Sequence, residues 1–207
     1  MVLRHRRLRR TAALLAAVAL PAAVALTATE ALAATIKTVT IKDDKFTPNT
    51  LAVAQGDTVR FTWAESETHS VTDASGMALY DSGFKGSGTY DRTYTAAGSY
   101  PYRCRLHFSM SGTVNVAMKA APATGTAATQ FTIRWSTVAA PAGYVHDVKI
   151  KRPGTTAFVD WKPGITAPSA SFKADAGAGT YQFQARLRQT ASGKATAFSP
   201  ARSIVVS

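Results

Sequence analysis

The sequence predicts an all-β protein made of small β-sandwiches or barrels, and three observations support this class. Apolar and polar side chains alternate with a period of two over short runs, which is the pattern of half-buried strands. Turn-forming glycine, proline, asparagine and aspartate residues separate these runs. Beyond the N-terminal region, no segment has the apolar spacing of an amphipathic helix. Short, evenly spaced strands with such turns are typical of these folds.

The alternating runs fall into two groups, which we interpret as two domains. The first group, predicted as a domain over residues 34–118, includes residues 35–42, 50–54, 57–63, 89–95 and 112–118, with a further strand from Ser99 to about Cys104. Residues 119–129 are rich in Ala, Pro, Thr and Gly and predict a linker. The second domain, over residues 130–207, has runs at residues 130–136, 144–151, 157–162, 169–173, 180–188 and 203–206.

The N-terminus has the three parts of a secretory signal peptide, predicted over residues 1–33. Five arginines between Arg4 and Arg10 precede an apolar run from Thr11 to about Thr27, and Ala31-Leu32-Ala33 supplies the small residues of a cleavage site. We expect cleavage before Ala34 and a secreted or extracytoplasmic protein. The alternative is an uncleaved membrane anchor, against which Pro21 argues. Paired arginines also leave the twin-arginine export route open.

The charge is unevenly distributed along the chain. The formal net charge is +12, and removal of the predicted signal leaves 19 basic and 11 acidic residues. Residues 34–124 carry nine basic and eight acidic groups, whereas residues 125–207 carry ten and three. Nucleic acid is therefore not an expected partner of the first half, and an anionic partner of the second half stays open.

Cys104 is the single cysteine of the chain. In an oxidising compartment cysteines are usually paired in disulfides, so an unpaired thiol is expected to be occupied by another group. Cys104, His107 and Met110 have the spacing C-x2-H-x2-M in a tight loop between two predicted strands, and His69 lies 35 residues upstream. A thiolate, two imidazoles and a thioether suit copper in both oxidation states. Zinc is the competing metal, but it rarely uses methionine.

These four residues predict a mononuclear type 1 copper site with one copper per chain. We expect Cys104 to provide the strong thiolate bond, His69 and His107 to complete a trigonal plane, and Met110 to act as a weak axial ligand that tunes the potential. Backbone groups around Ser70 are expected to hydrogen-bond to the Cys104 sulfur.

The first half resembles the cupredoxin family, of the plastocyanin and amicyanin type, over about residues 35–118. The resemblance rests on the Cys104 loop and on FTPNTL at residues 46–51, GDTV at 56–59, THSV at 68–71 and GTV at 112–114. It implies a Greek-key sandwich with copper at one end, the His107 ring edge near the surface, and electron transfer to redox protein partners. Phe108 stands where many relatives have proline, and Arg103 and Arg105 flank the cysteine.

The second half resembles a fibronectin type III module, an immunoglobulin-like sandwich. Trp135 lies in an early strand, Tyr181 stands at the position of the family's tyrosine corner, and Ser199-Pro200-Ala201 precedes the last strand. The resemblance implies a spacer or adhesion unit.

Two strands of the second half are predicted to be neighbours that share a basic outer face. The alternation turns Val148 and Ile150 inward, together with Tyr181, Phe183, Ala185 and Leu187. The outer side chains are then Lys149, Lys151, Arg186 and Arg188. They form either a solvated surface or a patch for an anionic cell-wall or extracellular polymer. His146 shares the inward position of Val148 and is expected to be a semi-buried structural residue, not a metal ligand.

Electron transfer is the function that the copper residues favour. The alternatives are an extracellular copper-binding or scavenging module, and an adhesion protein in which copper stabilises the fold without cycling. An enzyme is not expected, because a multicopper oxidase or nitrite reductase needs more histidine ligands than His69, His107 and His146 provide.

Overall fold

The fold is built from short strands whose side chains alternate between buried and exposed positions, as the sequence predicts. The computed structural model describes residues 34–207, so the predicted signal peptide and its cleavage site lie outside the described residues. Sixteen strands make up this part of the chain: β1 (Ile36–Lys42), β2 (Lys45–Thr47), β3 (Thr50–Val53), β4 (Thr58–Trp63), β5 (Thr72–Asp73), β6 (Gly88–Thr93), β7 (Gly98–Arg103), β8 (Ser111–Val116), β9 (Lys119–Ala121), β10 (Thr124–Gly125), β11 (Phe131–Arg134), β12 (Tyr144–Lys151), β13 (Val159–Ile165), β14 (Ser169–Phe172), β15 (Gly179–Gln189) and β16 (Arg202–Val206).

The first half is a sandwich of two four-stranded sheets. Their strand orders are β2-β1-β4-β6 and β3-β8-β7-β5. β1 pairs with β4, and β3 with β8, in parallel, so the chain crosses repeatedly between the sheets. The inward residues of both sheets form one core that includes Val39, Phe61, Tyr102 and Val114, all fully buried. The predicted all-β sandwich is confirmed.

The second half also consists of two sheets around its own core. Their orders are β10-β16-β15-β12-β13 and β14-β11-β9. Trp135 is fully buried in this core. The Tyr181 hydroxyl donates to the Gly177 carbonyl at 2.9 Å and accepts from the Ala176 N–H at 2.8 Å. These contacts tie β15 to the turn that precedes it, and the fibronectin type III assignment stays a prediction.

Part of the segment predicted as a linker is structured. β9 pairs with β11 and β10 pairs with β16, so both short strands extend sheets of the second half. Met118 and Ala120 are buried in the second core. The composition of residues 119–129 did not predict this, because small residues can pair through their backbone without an alternating pattern. The domain boundaries themselves stay a prediction.

The two halves are joined by direct hydrogen bonds. The Gln55 side chain, from the first half, donates to the carbonyls of Ala117 and Arg134 at 3.1 and 3.0 Å. The backbones of Ser99 and Ala197 exchange two hydrogen bonds, and the Ala97 N–H donates to the Trp135 carbonyl. Residues 34–207 accordingly form one compact unit.

β12 and β15 are neighbours, and their predicted inward residues are buried. The outer face carries less unpaired positive charge than the sequence suggested, because Asp147 lies on the same face. Asp147 is itself nearly buried. Asp147 accepts hydrogen bonds from Arg186 and Arg188 and from the Gly164 N–H. Burial disfavours its charge, but these donors outweigh that effect and lower the pKa of Asp147 to about 2.

Residues 34–207 include no helix of the length and hydropathy needed to cross a membrane.

Candidate metal centre

The predicted metal residues lie on two loops at one end of the first sandwich. His69 follows β4, and its backbone exchanges two hydrogen bonds with that of Lys85, which fixes its position. Cys104 comes directly after β7, and Met110 comes directly before β8. Because β7 and β8 are adjacent antiparallel strands, the loop between them must turn back on itself.

Backbone hydrogen bonds close this loop. The Cys104 N–H donates to the Met110 carbonyl at 3.0 Å, and the Met110 N–H donates to the His107 carbonyl at 2.9 Å. The Arg105 N–H donates to the Ser70 hydroxyl at 3.0 Å, which ties the loop to the segment that carries His69. The positions of the donors are therefore set by the fold.

Three of the four predicted donors converge on one point. The Cys104 Sγ lies 4.0 Å from His69 Nδ1 and 3.9 Å from His107 Nδ1, and the two nitrogens are 3.1 Å apart. A metal in a trigonal plane, about 2.0 Å from nitrogen and about 2.3 Å from sulfur, requires separations of about 3.5 and 3.7 Å. The observed triangle fits such a metal with small adjustments.

Met110 belongs to the same loop and is 2% exposed. His69 and Cys104 are fully buried, whereas the His107 side chain keeps 28% of its surface exposed. The centre is thus enclosed by the protein, with the His107 ring as its partly open side.

The environment of Cys104 favours its thiolate form. Burial raises the pKa of a thiol, but the backbone N–H groups of Ser70, His107 and Leu106 and the ring of His69 act in the opposite direction. The result is a pKa of about 7 for Cys104. The Ser70 N–H donates to the sulfur at 3.4 Å, which confirms the hydrogen bond expected from the sequence.

Two carboxylates contact the imidazoles, and the sequence did not single them out. Glu65 Oε1 lies 2.9 Å from His69 Nε2, which holds the ring so that Nδ1 faces Cys104. Asp44 Oδ1 lies 2.9 Å from His107 Nδ1 and 3.9 Å from His69 Nδ1. Asp43 and Asp44, with φ values of 53° and 55°, form the β1–β2 turn. Their composition predicted that turn and gave no signal that it would reach the centre.

The comparisons with known proteins agree with this geometry. Residues 33–117 match the family described as copper binding proteins, plastocyanin/azurin family. A search of curated proteins found no match.

Solved structures of amicyanin mutants are similar to about two fifths of the chain. An oxidized methionine-to-leucine mutant is 31% identical, covering 39% of this chain and 80% of that chain, with a TM-score of 0.37. A reduced tryptophan-to-tyrosine mutant is 32% identical, covering 40% and 82%, with a TM-score of 0.38. A reduced proline-to-phenylalanine mutant is 31% identical, covering 41% and 83%, with a TM-score of 0.36.

Copper is the metal that this family implies, and the sulfur and imidazole donors of the centre fit it. The family match over residues 33–117 carries this assignment of copper. The same family match supports a cupredoxin domain in the first sandwich.

Proposed function

We propose that this chain is an exported electron-transfer protein whose single type 1 copper is held by His69, Cys104, His107 and Met110. The observation that carries the proposal is the convergence of His69 Nδ1, His107 Nδ1 and Cys104 Sγ within 4.0 Å of one another. When bound, the copper supplies a one-electron couple between Cu(I) and Cu(II).

The rigidity of the centre supports electron transfer. Cys104, Met110 and the His69 segment are tied by backbone hydrogen bonds and have little room to move. Ligands that keep their positions in both oxidation states lower the reorganisation energy of each electron transfer. Copper capture and release would instead require ligand side chains that can move away from the metal, and the hydrogen bonds of this loop restrict such movement.

The surface around His107 supports transfer through that ring. Phe108 is 74% exposed, and Leu106 and Phe84 are about half exposed. The Arg105 guanidinium lies 4.4 Å from the centre of the Phe84 ring, and that of Arg103 lies 5.6 Å from the Phe108 ring. Exposed apolar side chains beside a partly open ligand are suited to a brief contact with a redox protein, which remains unidentified.

Export is supported by the sequence pattern of residues 1–33 and by the single cysteine. N-terminal sequencing of the protein released by the producing cells tests it. A mature N-terminus at Ala34 is expected, whereas a chain that retains Met1 in the membrane fraction contradicts cleavage. The anionic polymer predicted for the second half stays a prediction, and the pairing of Asp147 with Arg186 and Arg188 reduces the free charge available for it.

Visible spectroscopy tests the copper assignment. Wild-type protein with one equivalent of Cu(II) is expected to show an intense thiolate-to-copper absorption band. Cys104→Ser should abolish the band, and Met110→Ala should shift it. Met118→Ala is the matched control, because Met118 is equally buried but lies in the second core.

Electrochemistry then separates electron transfer from copper storage. A reversible one-electron wave is expected for the wild-type protein. A pale protein without the band would overturn the type 1 assignment. An intense band without reversible cycling would favour a copper-binding module.

A further inference from the structure

Glu65 makes two hydrogen bonds that join different parts of the copper centre. Its Oε1 accepts from Nε2 of the fully buried His69 ring at 2.9 Å. Its Oε2 accepts from the backbone N–H of Asp43, in the β1–β2 turn, at 3.0 Å. The Glu65 side chain keeps 18% of its surface exposed, so it is partly shielded from solvent. One carboxylate therefore links an imidazole of the centre to a separate turn.

The first hydrogen bond fixes the position of the proton on the His69 ring. An ionised carboxylate can only accept, so Nε2 carries the ring proton and donates it to Glu65. Nδ1 then keeps a free lone pair, and this atom lies 4.0 Å from the Cys104 sulfur and 3.1 Å from His107 Nδ1. A carboxylate at the opposite nitrogen also makes an imidazole a more basic ligand. His69 is thus prepared to bind a metal through Nδ1.

The second hydrogen bond fixes the β1–β2 turn. Asp43 and Asp44 are the two central residues of this hairpin turn, with φ values of 53° and 55°. Consecutive non-glycine residues in the left-handed region are costly and persist where neighbouring contacts hold them. The hydrogen bond from the Asp43 N–H to Glu65 is such a contact. It helps to place the next residue, Asp44, whose Oδ1 lies 2.9 Å from His107 Nδ1.

The charge of Glu65 acts unequally on the two oxidation states of copper. Reduction removes one positive charge, so an anion that is hydrogen-bonded to a ligand stabilises Cu(II) more than Cu(I). Glu67 lies on the same loop and also brings a carboxylate oxygen within 4.8 Å of a His69 nitrogen. Its side chain is exposed, so water screens its charge more strongly. The two glutamates carry the same charge in different surroundings.

From these contacts we propose that Glu65 is a positioning residue that sets the reduction potential of the centre, by directing Nδ1 of His69 at the metal and by holding Asp44 near His107. This inference rests on the proposed function and names a residue that regulates it. Glu65 acts through the His69 ring and through the turn. Its loss should favour Cu(I) over Cu(II), because a negative charge is removed and His69 becomes a less basic ligand.

Two substitutions test the effect of Glu65 on the potential. Glu65→Gln keeps the size of the side chain, removes its charge and leaves one oxygen in place of two acceptors, whereas Glu65→Ala removes both hydrogen bonds. Cyclic voltammetry of the copper-loaded protein should show that Glu65→Gln favours Cu(I) over Cu(II) by about tenfold, which raises the potential by about 59 mV. Glu65→Ala should raise it at least as far.

Glu67→Gln is the matched control. It removes the same charge from the same loop at an exposed position, so its shift of the potential should be well under half that of Glu65→Gln. Circular dichroism and the thiolate-to-copper band confirm that each variant is folded and loaded.

A double-mutant cycle tests the link between Glu65 and the turn. Asp44→Asn should raise the potential in the wild-type background. In Glu65→Ala the same substitution should raise it half as much or less, because the turn no longer holds Asp44 near His107. Equal shifts in the two backgrounds would overturn the proposal that Glu65 positions Asp44.

Proton exchange at the His69 ring gives a readout other than the potential. In the protein loaded with Cu(I), which is diamagnetic, the Nε2 proton should exchange with solvent about tenfold or more faster in Glu65→Ala than in the wild type. NMR of the ¹⁵N-labelled ring follows this exchange. Glu67→Gln should exchange at the wild-type rate.

The outcomes separate this proposal from the assignment of the copper site. The proposal is overturned if Glu65→Gln shifts the potential no more than Glu67→Gln does, or if the His69 proton of Glu65→Ala exchanges at the wild-type rate. A wild-type protein that lacks the thiolate-to-copper band would instead overturn the proposed function itself.

Discussion

At the scale of single residues, Asp44 brings a negative charge close to the metal centre. Its carboxylate contacts His107 Nδ1, one of the three atoms that face the metal position, while about half of its side-chain surface stays exposed. A copper ion loses one positive charge on reduction, so a nearby anion stabilises Cu(II) more than Cu(I). Asp44 should therefore lower the reduction potential of the centre.

The substitution Asp44→Asn removes this charge with little change of shape. It should raise the reduction potential by roughly 40 mV, since about 1 kcal/mol of charge interaction near the surface corresponds to this shift for one electron. Asparagine also tolerates the positive φ of this turn. Cyclic voltammetry of the copper-loaded protein measures the effect.

Asp43→Asn is the matched control, because it changes the same charge in the same turn without a contact to either imidazole. Its potential should move much less. Equal potentials for wild type and Asp44→Asn would show that the carboxylate has no effect on the bound metal.

The residues of the centre show what sequence can predict at this scale. Cys104, His107 and Met110 were predictable because their spacing places them in one loop, and His69 because a distant imidazole completes the donor set. Asp44 and Glu65 were not predictable, because carboxylates near the surface are common. Their contacts depend on how the β1–β2 turn and the loop after β4 fold over the centre.

At the scale of elements, the junction of β7 and β8 supports the metal loop. Tyr102, two residues before Cys104, packs its ring edge-to-face against Phe46 and Phe61 at 4.8 and 5.2 Å. Gly112, in β8, lies directly against this ring. A Cβ at Gly112 would meet the Tyr102 side chain and would lie 2.7 Å from the Asn49 carbonyl oxygen. The close approach of β8 to both neighbours requires glycine here.

Gly112→Ala should therefore destabilise the first sandwich by about 1–3 kcal/mol, the usual cost of overpacking a core. Displacement of Tyr102 would also move Cys104, so the thiolate-to-copper band should shift. Urea unfolding and visible absorption measure the two effects. Ser111→Ala, at an exposed neighbouring position, should change neither, and a Gly112→Ala protein as stable as the wild type would contradict the packing argument.

The ends of strands with clear alternation were predicted to within three residues, and strands without it were not predicted at all. β12 begins and ends where its pattern predicts, because Val148 and Ile150 alternate with charged side chains. β2, β5, β9 and β10 have two or three residues each, too few to show a period. Their pairing is decided by the neighbouring strands, which a local pattern does not reveal.

At the scale of the whole molecule, buried residues of the first half contact residues of the second half. Gln55 reaches the Arg134 carbonyl, and Ala97 of the first half is buried in the second core. The sequence predicted two sandwiches and did not predict this contact, because the residues involved are far apart along the chain. His146 lies in the same region; it was expected to be semi-buried and is almost fully buried, and its lack of a hydrogen-bond partner was visible only in the fold.

His146 should make the stability of the whole unit depend on pH. Its pKa is about 4 in the folded protein and 6.5 when exposed, so between these values the unfolded chain binds a proton that the folded chain does not. The free energy of unfolding should fall as the pH is lowered from 6.5 to 4, by about 3 kcal/mol for the full shift. Asp147, with a pKa of about 2, titrates below this window.

Urea unfolding of the copper-loaded protein at pH values from 7 to 4 measures this dependence. His146→Phe should remove the His146 contribution, so the difference in stability between variant and wild type should grow steadily in favour of the variant as the pH falls. The other histidines, His69 and His107, are present in both proteins and contribute equally to the two curves. Parallel curves would mean that His146 gains a proton or a partner within the folded protein, and would contradict the predicted pH dependence.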